Sequence, residues 1–203
     1  MAVVEFPPLD CADENGLLAV GGDLEVSSLK LAYSQGIFPW PVEDYYPIPW
    51  FSPDPRGIIC FRDLNISKSL QKFLKKSPFV FKFNQNFHQV ILNCAQANNR
   101  KDQGSTWITK KMIEAYINLH YAGIAYSLEV YLDNELVGGL YGVQIGKYVN
   151  GESMFYKVSN ASKCALIYLL NFLYPLGIEW IDTQMCTPVI TDLGGKEIPR
   201  SEF

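Results

Sequence analysis

One acidic residue, Glu152, lies in the stretch VNGESMFY between an apolar run and a cluster of large apolar side chains. An ionised carboxylate in such surroundings can bind an ammonium group through a charge-assisted hydrogen bond. The neighbouring Met154 and Phe155 could then enclose an apolar group on the same molecule. In the structural alternative, Glu152 forms a salt bridge on the surface of a sheet. The residue types therefore permit a site for an amine that carries an apolar side chain.

A second polar pair, Asp182 and Gln184, lies in the stretch IDTQ. One residue separates the two, and alternate residues of a β-strand point to the same face of the sheet. A carboxylate and an amide on one face could share a single substrate group. The alternative is that Asp182 only ends a strand and Gln184 binds a neighbouring loop.

Residues suited to nucleophilic or metal chemistry are scarce. His88 and His120 are the only histidines, and each falls in a predicted amphipathic helix, where a structural role is the simpler interpretation. No G-x-S-x-G stretch occurs. The cysteines stand singly, without a C-x-x-C pair or a histidine at ligand spacing; they are Cys11, Cys60, Cys94, Cys164 and Cys186. We therefore expect reduced thiols, no metal and no cofactor.

The 203 residues carry a formal net charge of −4, which argues against a protein that coats nucleic acid over its whole surface. Any nucleic-acid contact must be a local patch. The sequence offers one set of lysines at helical spacing: Lys68, Lys72, Lys75 and Lys76. The alternative is a solvated helix face above an apolar stripe. Because no signal-peptide pattern and no apolar run of about 18 residues occur, we expect a cytoplasmic protein that does not span a membrane.

Residues 1–62 are expected to form a small irregular α+β lobe. One clear helix is predicted at Leu24–Gln35, with Gly36 in the position that commonly ends a helix. Six prolines lie between Pro39 and Gly57, and they exclude long regular elements there because proline lacks an N–H donor.

Longer elements are predicted in residues 63–203. Two helices are expected near Asn86–Asn98 and Thr109–Ala122, with Thr109 as the N-cap of the second. Three antiparallel strands should follow at about 125–132, 135–145 and 147–155. Their turns are predicted at Asp133-Asn134 and Gly146-Lys147.

An apolar helix, Ala161–Tyr174, capped by Ser159 or Asn160, and a buried strand through IEWIDTQ complete the pattern. Two helices, a three-strand meander, a helix and a strand are the order typical of acyltransferase domains of the GNAT type. The predicted fold class is therefore α+β, with a mixed and largely antiparallel sheet.

Nine short stretches that span nearly the whole chain together resemble the leucyl/phenylalanyl-tRNA–protein transferases. They are NGLLAVGGDL (15–24), YSQGIFPW (33–40), WFSPDPR (50–56), STWIT (105–109), LVGGLYGV (136–143), GESMF (151–155), NASK (160–163), IDTQ (181–184) and LGGKEIPR (193–200). Each stretch alone is common, but nine in the family's order form a specific signal.

The resemblance implies an enzyme that moves leucine, phenylalanine or methionine from its tRNA to the α-amine of a protein beginning with Lys or Arg, a tag for degradation. An aminoacyl-tRNA is already an activated ester, so neither an enzymic nucleophile nor a metal is required. The acceptor's α-amine has a pKa of about 7.7–8.0 against about 10.4 for a lysine side chain, which makes it the more reactive amine near neutral pH.

The resemblance also implies roles for the polar residues singled out above. Asp182 and Gln184 would orient or deprotonate the acceptor amine. Glu152 would hold the ammonium of the incoming leucyl group, with Met154 and Phe155 around its side chain.

Other residues are implied at the RNA end of the substrate. Trp107 matches the family's aromatic residue near the terminal adenosine, and Trp50 with Phe51 would form a second stacking wall. Asn160 and Ser162 open a helix whose N-terminus favours a 3′-end phosphate, although simple capping explains them equally well. The four lysines would contact the tRNA backbone.

Some positions depart from the family's pattern; they are Phe51, Tyr126, Tyr156, Lys157 and Val189. Two other functions are compatible with the fold. A CoA-dependent N-acetyltransferase needs a glycine-rich run between a strand and a helix to bind pyrophosphate, whereas GGLYGVQIG falls within predicted strands. The other alternative is a catalytically altered module that binds tRNA or protein. A monomer is the default expectation.

Overall fold

The computed structural model of the protein describes residues 1–41, 47–97 and 107–203. Part of the proline-rich stretch Pro39–Gly57, the predicted helix end at Asn98 and the first two residues of STWIT lie outside these ranges. Among the described residues, no helix has the length and apolar character needed to cross a lipid bilayer.

The N-terminal part combines a small sheet with one helix. The sheet has the order β1-β3-β2 and contains β1 (Leu17–Val20), β2 (Phe38–Pro39) and β3 (Pro49–Phe51). The helix α1, Val26–Ser34, lies within the predicted range. Gly36 follows it with φ +71°, and the N–H of Ile37 donates to the carbonyl of Ala32, so Gly36 ends the helix as predicted.

Within the described parts of the chain, the central sheet contains five strands. They are β5 (Val80–Phe83), β6 (Ala125–Leu132), β7 (Glu135–Ile145), β8 (Tyr148–Val149) and β9 (Ser153–Tyr156). Their order is β5-β6-β7-β8. β7 pairs with β8 through Gln144 and Ile145, and with β9 through residues 138–141. Asp133 and Asn134 have φ angles of 51° and 65°, which confirms the predicted two-residue turn between β6 and β7.

The predicted third strand, 147–155, is divided into β8 and β9. Between them, the N–H of Gly151 donates to the carbonyl of Asp182 instead of to β7. This contact forms part of a parallel bridge between Asn150 and Asp182. The interruption therefore joins the central sheet to a distant strand and places Asn150 and Glu152 at the junction.

Helices cover the two faces of the central sheet. On one face, α1 packs with α3 (Phe87–Ala95) and α4 (Lys110–Tyr121). On the other face lies α5 (Ala161–Leu173). Thr109 caps α4 as predicted, since its Oγ1 accepts from the N–H of Met112 at 3.3 Å. Asn160 occupies the N-cap position of α5, one of the two predicted, but it lies in the left-handed region at φ +68° and its side chain makes no cap hydrogen bond.

The third sheet joins a strand from the first third of the chain to two strands near its C-terminus. It has the order β10-β4-β11, with β4 at Arg56–Cys60, β10 at Trp180–Gln184 and β11 at Lys196–Ile198. All ladders among the described strands are antiparallel, which confirms the α+β class with a largely antiparallel arrangement. The division into 1–62 and 63–203 stays a prediction, and β4 within the first range pairs with two strands of the second.

Gly142 in β7 allows the junction between β8 and β9 to approach closely. A Cβ atom at Gly142 would lie 1.9 Å from the backbone oxygen of Asn150 and 2.8 Å from the hydroxyl of Tyr126. That hydroxyl donates to the same oxygen at 2.7 Å. Only a residue without a side chain therefore permits this contact.

We predict that Gly142→Ala lowers the free energy of unfolding by about 1–3 kcal/mol or more, because the added methyl group must displace a backbone carbonyl. Thermal and urea unfolding would measure the change. Gly151→Ala is the matched control, since a Cβ there meets nothing within 4 Å. Equal stability of the two variants would contradict this account of Gly142.

Candidate functional site

Glu152 lies at the centre of a buried hydrogen-bond network and is 8% exposed. Its Oε1 accepts from the hydroxyl of Tyr33 at 2.7 Å, from Nε2 of Gln184 at 2.8 Å and from Nδ2 of Asn150. Its Oε2 accepts one longer bond, 3.3 Å, from the hydroxyl of Tyr116. The two tyrosine hydroxyls are also within hydrogen-bond contact of each other, and because each has one proton, Tyr116 donates either to the Tyr33 oxygen or to Oε2 while Tyr33 donates to Oε1. One carboxylate oxygen is thus saturated, whereas the other retains accepting capacity.

Burial raises the pKa of Glu152 to about 7, although the hydrogen bonds from Tyr33 and Asn150 oppose this rise. The charge of Asp182 contributes to the same upward shift. Burial, followed by the charge of Glu152, raises the pKa of Tyr33 and of Tyr116 well above the ordinary value, so both phenols remain protonated donors. Near neutral pH, Glu152 therefore exists in both protonation states.

Four separate parts of the chain position this network. Tyr33 lies near the end of α1 and Tyr116 in the middle of α4. Asn150 is held by β7, because its Oδ1 accepts from the N–H of Val143 at 2.7 Å. Gln184 ends β10. The network therefore forms only when both helices and two sheets have packed.

Asp182 is fully buried and is paired with Arg56. Nε and Nη2 of Arg56 donate to Oδ1 and Oδ2 of Asp182 at 2.9 and 2.6 Å. The hydroxyl of Tyr148 donates to Oδ2 at 2.6 Å. Burial alone would lower the pKa of Arg56, but the carboxylate of Asp182 outweighs it and raises that pKa above its ordinary value. The pair is therefore an ion pair with bidentate geometry.

The backbone turns sharply at Gln184. This residue has φ +63°, and the N–H of Met185 donates to the carbonyl of Thr183 at 2.6 Å. The ladder between β10 and β4 is irregular at the same place, between Asp182 and Gln184. The two side chains bind different protein partners, since Gln184 donates to Glu152 while Asp182 accepts from Arg56, and the prediction that they share one substrate group stays a prediction.

Met154 and Phe155 lie on opposite faces of the central sheet, as neighbours in a strand must. Met154 packs half-buried against the core beside α5, whereas Phe155 is 3% exposed in the core beside α3 and α4. The prediction that both enclose the same leucyl side chain is therefore wrong.

Two cavities adjoin the polar residues. One of about 220 Å³ is mainly apolar and includes Tyr126, whose hydroxyl donates to the carbonyl of Asn150. Its lining residues are Phe83, Asn84, Tyr126, Gln144, Val149, Leu169, Phe172 and Leu173. The other, of about 750 Å³, includes Tyr33, Tyr148 and Phe203 in its wall.

The predicted stacking wall of Trp50 and Phe51 is not available as a surface. Trp50 is 1% exposed, its Nε1 donates to the carbonyl of Gly21 at 2.8 Å, and Phe6 packs against its ring. Phe51 is half-buried beside Trp40. Trp50 is thus a core residue, because its ring is buried and its N–H group has a hydrogen-bond partner within the protein. Trp107 is half-buried at the edge of the same core.

The start of α5 is less open than predicted. Ser162 is 5% exposed, and the N–H of Ala161 already donates to the carbonyl of Val158 at 3.1 Å. Ser162 is thus buried and Asn160 half-exposed, and their contact with a phosphate stays a prediction. The four lysines are all exposed on and just after α2 (Lys68–Leu74). Of the departures from the family's pattern, Tyr156 and Lys157 are also exposed.

Sequence reasoning missed five polar residues of the site; they are Tyr33, Arg56, Tyr116, Tyr148 and Asn150. Two of them had a signal, since Tyr33 begins YSQGIFPW and Arg56 ends WFSPDPR, stretches that carried the family resemblance. Asn150 lies two residues before Glu152 in VNGESMFY, whereas Tyr116 and Tyr148 had no signal, because their roles depend on contacts between distant elements.

Family models and curated relatives agree on one family. The model described as leucyl/phenylalanyl-tRNA protein transferase matches residues 58–203, and the model of its N-terminal domain matches residues 22–54. Leucyl/phenylalanyl-tRNA–protein transferases of Flavobacterium johnsoniae and Nitrosospira multiformis are 50% and 52% identical to this chain. Both alignments cover 98% of this chain, with 92% and 85% of the relatives.

Similar solved structures include L-PGS from Bacillus licheniformis, with 12% identity, a TM-score of 0.46 and coverage of 80% of this chain and 52% of that one. A GCN5-related N-acetyltransferase-like protein from Streptococcus suis has 13% identity and a TM-score of 0.40, covering 82% and 61%. These likenesses are partial, whereas the sequence matches extend over nearly the full length. On those sequence matches, the chain belongs to the leucyl/phenylalanyl-tRNA protein transferase family.

Proposed function

We propose that this protein moves leucine, phenylalanine or methionine from aminoacyl-tRNA to the α-amine of proteins that begin with Lys or Arg. It does so as a cytoplasmic monomer, and the transferred residue marks the acceptor for degradation. The observation that carries the proposal is the buried Glu152, whose carboxylate fixes the amide of Gln184 and keeps one oxygen able to accept. Family membership supports the aminoacyl donor and the protein acceptor.

Glu152 binds the ammonium of the aminoacyl group through Oε2. The other hydrogen-bond partners that the structure shows for this carboxylate are neutral donors, so a cation from the substrate adds the missing charge. The attraction is strong because the site is buried and of low dielectric constant.

Gln184 orients the acceptor amine. Because its Nε2 donates to Glu152 at 2.8 Å, its Oε1 is left to accept a hydrogen bond from the incoming amine. The neutral amine nitrogen attacks the ester carbonyl carbon, the new C–N bond forms, and the bond from that carbon to the ribose oxygen breaks. The proton lost by the amine ends on the ribose hydroxyl.

The apolar cavity of about 220 Å³ suits the side chain of the transferred residue. Val149, Leu169 and Leu173 in its wall favour leucine, methionine or phenylalanine. Burying a polar side chain there without a hydrogen-bond partner would cost about 1–3 kcal/mol of binding free energy.

Trp107 is proposed to stack on the terminal adenosine, and the exposed lysines near α2 are proposed to contact the tRNA backbone.

Two alternative functions are a CoA-dependent N-acetyltransferase and a catalytically altered module that binds tRNA or protein. The run GGLYGVQIG lies in β7 and the turn after it, not between a strand and a helix, so it supplies no cradle for the pyrophosphate of CoA. A catalytically altered binding module would bind aminoacyl-tRNA without transferring its residue, and the assay below separates the two.

We expect the protein to transfer labelled leucine from Leu-tRNA to peptides that begin with Lys or Arg, and not to peptides that begin with Asp or Met. Glu152→Gln should lower kcat/KM by about 10- to 100-fold, since a charged hydrogen bond contributes about 1.5–3 kcal/mol. The exposed Glu135→Ala serves as the control. Tight binding of Leu-tRNA by the unsubstituted protein without transfer to any peptide would instead establish the altered module.

Binding of Leu-tRNA without acceptor should depend on pH with a rising limb near 7. The raised pKa of Glu152, about 7, means that its ionised form increases as pH rises through that value, and only this form binds the ammonium strongly. Affinity should fall again as the substrate's α-amine loses its proton, near pH 7.7–8.0. N-acetyl-Leu-tRNA, which lacks the ammonium, should show neither limb. A rising limb retained in Glu152→Gln would exclude Glu152 as its source.

The lysines near α2 should set part of the salt dependence of tRNA binding. For Lys72→Ala/Lys75→Ala, the slope of log affinity against log salt should become shallower by about 2, one unit for each lost phosphate contact. Lys30→Ala/Lys147→Ala removes the same charge from exposed positions on other elements and should change it less. An unchanged slope in the first variant would show that these lysines only face solvent.

A further inference from the structure

We propose that Arg56 is a positioning residue that controls the orientation of Gln184 through Asp182. This inference rests on the transfer function proposed above. β4 is the first strand of the third sheet in chain order, and the inference gives it a role in positioning the acceptor amine.

Arg56 is held rigidly on every side of its guanidinium. Besides its two bonds to Asp182, its Nη1 donates to the carbonyl of Gly36 at 2.8 Å. The rings of Phe38 and Phe203 lie 5.1 and 4.6 Å from its central carbon. The side chain is fully buried, and the planar fork of arginine matches both carboxylate oxygens at once. Asp182 is therefore held in one position.

Asp182 acts on Gln184 and not on substrate. Both of its oxygens accept hydrogen bonds from protein groups, and the residue is fully buried. One of those bonds, 2.8 Å to Oδ1, comes from the backbone N–H of Gln184 itself. A buried carboxylate whose two oxygens both accept from protein groups presents no free oxygen to an acceptor amine.

The turn at Gln184 depends on the hydrogen bond to Asp182, because the backbone of Gln184 is strained. The left-handed region costs a non-glycine residue about 1–2 kcal/mol, and Gln184 occupies it at φ +63°. The hydrogen bond from its N–H to Asp182 fixes the turn that directs its amide to Glu152. Without it, the amide would lose its fixed direction.

Gly57, which follows Arg56, makes room for the same turn. A Cβ there would lie 2.5 Å from the backbone carbon of Met185 and 2.8 Å from the nitrogen of Cys186. Two adjacent residues of β4 thus stabilise the turn. Arg56 does so through its ion pair with Asp182, and Gly57 does so because it has no side chain to clash with the backbone of Met185.

The kinetic consequence is specific. The hydrogen bonds that Glu152 accepts from Tyr33, Tyr116 and Asn150 do not involve the side chains of Arg56, Asp182 or Gln184. Loss of Arg56 should therefore disturb the orientation of the acceptor amine more than the binding of the aminoacyl group, so kcat should fall while KM for aminoacyl-tRNA stays nearly constant.

A double-mutant cycle tests the coupling. Arg56→Gln and Asp182→Asn should each lower kcat by about 100-fold, the loss typical of a misplaced reacting group, with KM for Leu-tRNA changed less than about twofold. The double variant should be no slower than the slower single variant, because both act through one contact. It carries no unpaired buried charge, so it remains measurable even if Arg56→Gln does not fold. Arg56→Lys, which keeps the charge but lacks the fork, should have an intermediate kcat.

Hydrogen exchange provides a second readout that does not require transfer. The amide of Gln184 should exchange at least about tenfold faster in Arg56→Gln or Arg56→Lys than in the unsubstituted protein, since weakening the hold opens the turn locally. Arg62→Gln is the matched control: Arg62, just after β4, pairs at 3.2 Å with Glu179, just before β10, and both side chains are exposed. It should change neither the exchange nor kcat.

Two results would overturn the inference. One is unchanged exchange at Gln184 in both Arg56 variants. The other is additive loss of kcat in the cycle, which would show that Arg56 and Asp182 act separately. If the unsubstituted protein transfers nothing, the proposed function fails, whereas the exchange result still decides whether Arg56 holds the turn.

Discussion

The buried ion pair of Arg56 with Asp182 is the interaction on which the site depends. Removing two charges from water costs several kcal/mol for each ion, and only bidentate geometry with further hydrogen bonds offsets that cost. Here the offset comes from Tyr148, the carbonyl of Gly36 and the backbone of Gln184. The pair therefore ties β4 to β10 and, through Gly36, to the end of α1.

The second buried carboxylate, Glu152, is satisfied in a different way. Tyrosine and amide donors surround it, and they stabilise the ionised form less than a cation would, so burial keeps its pKa near 7. Asp182 has its cation within the protein, whereas Glu152 is suited to accept one from a substrate. Gln184 connects the two acids, because its backbone binds Asp182 and its side chain binds Glu152.

Local patterns predicted the regular elements well. Helical periodicity and the Thr109 cap predicted α4, and the Asp133-Asn134 turn predicted the β6–β7 hairpin, because neighbouring residues determine both. The same reasoning did not predict the turn at Gln184 or the division of β8 from β9. At the division, the N–H of Gly151 donates to the carbonyl of Asp182, about 30 positions away. At Gln184, the N–H groups of Gln184 and Met185 bond locally, to the side chain of Asp182 and the carbonyl of Thr183.

The sequence by itself determined the family, the α+β class and three of the residues at the centre of the site, Glu152, Asp182 and Gln184, since their types and neighbours are read directly from the chain. Only the tertiary structure decided what those residues do to one another. It showed Trp50 to be core and Arg56 to be the partner of Asp182. The physical reason is that burial, pKa and hydrogen-bond partners depend on which distant segments exclude water from a side chain, and that is settled only when the sheets and helices pack.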